Sequence, residues 1–148
     1  MRLIALLLLA APFCKADDRA LLRAIAHVEN HKWSDAGGKY AIRYAVWSDR
    51  TDLPYRLASQ ERFATPVAIS HLNWLRAGLK RKGIVPTPYV LAGCWRSGFE
   101  RWTSGKAPAS HRDYAARVRN LYEEDLRLSA TALAPSAPFP LTLSAQVP

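Results

Sequence analysis

A mainly α-helical, single-domain fold is predicted by three features of this sequence. Apolar residues recur at helical spacing in several separate segments. Two Thr-Pro pairs, Thr65-Pro66 and Thr87-Pro88, stand where helices would start. No alternation of strand and helix patterns runs along the chain. The length of 148 residues suits one domain, and 49% apolar residues argue against disorder of the whole chain.

The first helix is expected over residues 17–32. Leu21, Leu22, Ile25, Val28 and Glu29 fall at its apolar spacing, and Asp17 and Asp18 suit the positive end of its dipole. Asp35-Ala36-Gly37-Gly38 reads as a turn. Residues 40–47 are aromatic and β-branched, so a small extended piece near residues 38–46 stands beside a helical reading. A short helix follows Pro54. At Thr65-Pro66, Thr suits the cap and Pro the first helical position. Ala68, His71, Leu72, Leu75 and Leu79 make the apolar stripe behind it, and Lys80-Arg81-Lys82-Gly83 stops it. Thr87-Pro88 opens a nearly all-apolar helix to about Phe99, which should be central. Ser110 and Asp113 resemble a capping box for a last helix with Tyr114, Val118, Leu121 and Tyr122 inward. Residues 129–148 are rich in Ala, Pro and Ser and uncharged, which predicts a flexible tail.

Residues 1–16 read as a secretory signal: Arg2 precedes an apolar run from Leu3 to Phe13 that is too short to span a bilayer. Cleavage is expected after Ala16, giving an exported domain over residues 17–128. A lipoprotein reading would make Cys14 the new N-terminus instead. The net charge is +9, and +7 once Arg2 and Lys15 are removed. Such a charge suits an anionic partner such as cell-wall polymer, or serves solubility alone. The exported chain keeps only Cys94, so no intrachain disulfide is possible. Cys94 reads as a buried apolar residue, with a catalytic thiol as the other reading.

Four constellations carry chemistry. Glu29 shares a helix face with Leu22 and Ile25, where a carboxylate is costly unless paired or protonated. Desolvation raises a carboxyl's pKa, and a protonated carboxyl is a general acid. A Glu reaching solvent from a helix end is the plainer reading. His27 and His31 have the i, i+4 spacing of a zinc helix, but Glu29 does not follow His27 directly as HExxH requires. No metal is therefore expected. Five Trp and six Tyr are many for this length. They include Trp47, Trp74, Tyr89 and Trp102, and they either line a sugar cleft or fill the core, with Trp74 and Tyr89 placed in the core. Gly93-Cys94-Trp95-Arg96-Ser97-Gly98 looks like a helix end opening onto a cleft, or an ordinary stop at Gly98.

In order, these pieces resemble the lysozyme-like domain of lytic transglycosylases and goose-type lysozymes over about residues 19–124. Ala24-Ile25-Ala26-His27-Val28-Glu29-Asn30 is similar to the family's helix ending in its catalytic Glu. Gly38-Lys39-Tyr40-Ala41-Ile42 is similar to G-x-Y-Q-I, and the segment from Gly93 to Gly98 to A-Y-N-A-G. Tyr114, Arg117, Val118, Leu121 and Tyr122 match the closing helix. The resemblance implies a monomeric enzyme acting on peptidoglycan glycan strands, with no cofactor and no nucleic acid. It implies Glu29 as general acid and Tyr40, Trp95 and Tyr114 as substrate-binding residues; Arg96, in place of the family's Asn, is expected to bind substrate by holding a lactyl or peptide-stem carboxylate. Asn30, Ala41 and Arg96 depart from the family's Ser or Thr, Gln and Asn. A one-glutamate transglycosylase needs no second carboxylate, whereas a two-carboxylate hydrolase needs one, for which Asp35 and Asp49 are the choices. Because Ala41 and Arg96 replace sugar-orienting groups, a member that binds glycan without cleaving it is the alternative. A basic interaction protein on the same fold is a third.

Overall fold

The structure is a computed structural model and describes residues 17–29 and 37–132. The expected signal over residues 1–16, Asn30, His31 and Asp35 lie outside the described residues, as does the tail from residue 133 onward. The described chain is mainly helical, with no strand among the described residues. Six helices follow in order: α1 Asp18–Glu29, α2 Tyr44–Ser48, α3 Glu61–Arg81, α4 Pro88–Ser97, α5 Phe99–Thr103 and α6 Ala109–Ala132. Two 3₁₀ turns, Gly38–Tyr40 and Tyr55–Ser59, link the middle of the chain.

Helix α1 forms because its apolar residues repeat on one face: Leu21, Leu22, Ile25 and Val28 are all buried. Helix α4 is buried nearly throughout and lies most extensively against α6, and α1 packs on α6 beside it. Thr87 caps α4, its hydroxyl accepting from the Val90 N–H at 3.3 Å, with Pro88 in the first helical position. The α3 stripe of Ala68, His71, Leu72, Leu75 and Leu79 is wholly buried. Each such leucine contributes about 1.5–3 kcal/mol on leaving water. Arg76 is buried on the same helix and pairs with Asp18 at the start of α1, tying α3 to α1.

Three expectations change. Helix α3 starts at Glu61 and not at Thr65-Pro66; Thr65 lies in its second turn, where its hydroxyl bonds the Tyr40 hydroxyl at 3.0 Å. The aromatic segment near residues 38–46 is a 3₁₀ turn followed by α2 and not a strand. Gly38 has φ of 60°, and a side chain there would meet the Ala58 carbonyl. Helix α6 runs to Ala132, four residues into the expected tail.

Candidate functional site

Glu29 is the last residue of α1, on the face buried by Leu22 and Ile25, and is itself only 8% exposed. It meets two side chains from other helices. Arg96, one residue before the end of α4, places Nη1 3.4 Å from Glu29 Oε1. Tyr114, in the second turn of α6, lies with its ring 5.6 Å from the Arg96 guanidinium. Its hydroxyl is buried without a well-aligned hydrogen bond. Burial, and then the neighbouring Glu29 carboxylate, push the pKa of that hydroxyl up. Together these residues wall a cleft of about 430 Å³, closed on the far side by His111, Asp113 and Arg117 of α6.

The cleft is held from behind by Arg43, just before α2. Its guanidinium donates to the carbonyls of Arg96 at 2.8 Å and Trp95 at 3.3 Å. A cation on the last carbonyls of α4 suits the negative end of that helix and fixes where Arg96 leaves it. Ser97 Oγ lies 3.0 Å from His111 Nδ1, a second tie between α4 and α6. Burial and the charges of Arg96, Arg101 and Arg43 lower the His111 pKa.

Of the residues expected at the site, Glu29, Arg96 and Tyr114 converge and Tyr40 and Trp95 do not. Tyr40 is buried on Thr65, and its carbonyl accepts the Trp95 indole N–H at 3.1 Å. That bond joins the 3₁₀ turn to α4 beneath the cleft. Trp95 faces instead a second, smaller pocket of about 160 Å³ with His71, Trp74 and Asp49. Asp49 is therefore not among the residues lining the Glu29 cleft; the second carboxylate there is that of Asp113. Trp74 is 43% exposed and not in the core. Its ring stacks on His71, with centroids 5.7 Å apart. Tyr89 is half-buried, edge-on to Trp102.

Arg43, His111 and Asp113 were not singled out by sequence as site residues. The one signal for Asp113 and His111 was their place around the start of α6, the helix whose Tyr114 was expected in the cleft. His27 is exposed, and no group of three or more His, Cys, Asp or Glu able to hold a metal occurs among the described residues. No helix among them is long and apolar enough to cross a membrane. No family model matches this sequence, and neither a curated protein nor a solved structure matches it.

Proposed function

We propose that this chain is an exported lysozyme-like enzyme that cleaves peptidoglycan glycan strands, with Glu29 as its general acid. The observation that supports this is the convergence of Glu29, Arg96 and Tyr114 from three different helices on one cleft. The Glu29 carboxyl gives its proton to the oxygen of the β-1,4 bond between N-acetylmuramic acid and N-acetylglucosamine as that bond breaks. The sugar's own 6-hydroxyl then attacks C1 and leaves a 1,6-anhydro product. Arg96 leaves Glu29 to hold a lactyl or peptide-stem carboxylate of the glycan, a contact that guanidinium geometry favours. The basic charge of the chain draws it to the anionic cell envelope.

One observation favours a second reading, a member that binds glycan without cleaving it. The Arg96 guanidinium already compensates the buried Glu29 charge, and a pair that stays closed keeps Glu29 from serving as an acid. Incubating the purified chain with peptidoglycan and analysing soluble products by mass spectrometry separates the two. Anhydro-muropeptides that vanish with Glu29→Gln are the expected result; binding without products discards the cleavage reading. Arg96→Asn is expected to slow turnover of intact sacculi, and faster turnover would discard the carboxylate-holding role.

A further inference from the structure

We propose that His111 is the base of this cleft, its Nε2 taking the proton of the attacking hydroxyl while Glu29 gives one to the leaving oxygen. The inference rests on the cleavage reading above. His111 lies one turn before Tyr114 on α6 and lines the same cleft as Glu29. It is the only imidazole among the described residues lining that cleft. Its ring is oriented by a third group, as an activating base requires: Nδ1 lies 3.0 Å from Ser97 Oγ. Either atom of the Ser97–His111 pair can be the donor. In the tautomer proposed here Nδ1–H donates to Ser97 Oγ and Nε2 carries the lone pair, and no hydrogen bond occupies Nε2 among the described residues. Ser97 is buried at the end of α4, so it steers the ring and does not attack.

The charges around the ring favour a proton acceptor. Arg96 from α4, Arg101 from α5 and Arg43 before α2 all disfavour the imidazolium, as does burial. Among the described residues, Glu29 of α1 and Asp113, Tyr114 and Arg117 of α6 are the other titratable and charged groups lining the cleft. The step balances. The bond from C1 to the glycosidic oxygen breaks, and the bond from the attacking oxygen to C1 then forms. The attacker's proton goes to Nε2, and the Glu29 proton goes to the leaving oxygen. Imidazolium and carboxylate remain, and one proton passed through solvent resets both. Water as attacker leaves a reducing end; the glycan's 6-hydroxyl leaves a 1,6-anhydro end. The products therefore distinguish the two sources of the hydroxyl.

The test is digestion of peptidoglycan by the full chain, with products quantified by mass spectrometry between about pH 4 and 8. His111→Gln is expected to lower kcat on the order of 10²–10⁴-fold with KM little changed. The wild-type fall in rate on the acid side, below the ordinary histidine range, should vanish with it. Imidazole added to His111→Ala should restore part of the rate in proportion to its neutral fraction. Ser97→Ala keeps the ring and should lower kcat less, in the same direction. An unchanged rate and profile in His111→Gln, with Glu29→Gln inactive, overturns this inference and leaves the acid in place. A loss that imidazole does not restore and that raises KM assigns His111 a structural role and overturns it also. Loss in Asp113→Asn with His111→Gln unaffected moves the base to Asp113. A wild-type chain that releases no products removes the cleavage reading and this inference together.

Discussion

At the scale of single residues, burial sets the chemistry of Tyr114 and Cys94. The Tyr114 ring is held under Arg96 while its hydroxyl faces Glu29 with no well-aligned hydrogen bond. A buried hydroxyl without a well-aligned partner recovers little of its desolvation cost, whereas an apolar group of the same shape does not carry that cost. Tyr114→Phe keeps the ring over Arg96 and removes that cost. It should raise unfolding free energy in urea by about 1 kcal/mol. A clear loss of stability would show that the hydroxyl is hydrogen-bonded in solution. Cys94 is 1% exposed, and burial pushes its thiol up to about 12. The nucleophile is the thiolate, so this environment matches the apolar reading and not the catalytic one. Iodoacetamide at about pH 8 should leave the folded chain unmodified and label Cys94 only in denaturant. Labelling of the folded chain at the unfolded rate would refute this.

At the scale of elements, what periodicity could state was legible and what depends on contacts was not. The α3 stripe and the inward face of α6 follow from the 3.6-residue repeat alone, and every stripe residue named for α3 is buried. The start of α3 lies earlier than the Thr-Pro pair suggests, because the pair fits the second turn of a helix as well as its first and the helix is already under way at Thr65. Phe63 and Ala64 donate to the Gln60 carbonyl at its start, and the Thr65 hydroxyl bonds Tyr40 from within the helix. Pro66 then sits in the second turn, where it has no N–H to give to the Arg62 carbonyl. Gly93 is a further case. In the sequence it stands in a segment that looks like a helix end, yet it lies inside α4, where a Cβ would fall 2.3 Å from the Trp102 ring. A ring cannot yield as the tip of a flexible side chain can, so Gly93→Ala should destabilise by about 1–3 kcal/mol. Trp102→Leu should be costly alone, yet should recover part of that loss when combined with Gly93→Ala. Additive losses in the double variant would show that the two positions do not touch.

At the scale of the whole molecule, the candidate site is where three helices meet, which explains how much of it could be read in advance. Glu29, Arg96 and Tyr114 each stand at a position that a helical pattern or a family resemblance marks. Arg43, His111 and Asp113 enter the site only because α4 packs on α6 and because the segment before α2 crosses the end of α4. No local pattern encodes such a crossing. The same packing encloses His71, which α3 presents between the rings of Trp74 and Trp95. Burial lowers its pKa from 6.5 to about 4, helped by Arg50 and Arg43 and opposed by Asp49. The folded chain thus holds this ring neutral where the unfolded chain would protonate it. Its contribution to stability is complete above pH 6.5 and is lost as pH falls from there toward 4. The full loss is on the order of 3 kcal/mol. Urea unfolding across that window should show the wild type weakening with acid and His71→Leu weakening by about that much less. Parallel curves for the two proteins would mean that His71 is protonated within the fold, and that the aromatic pocket opens to admit the charge.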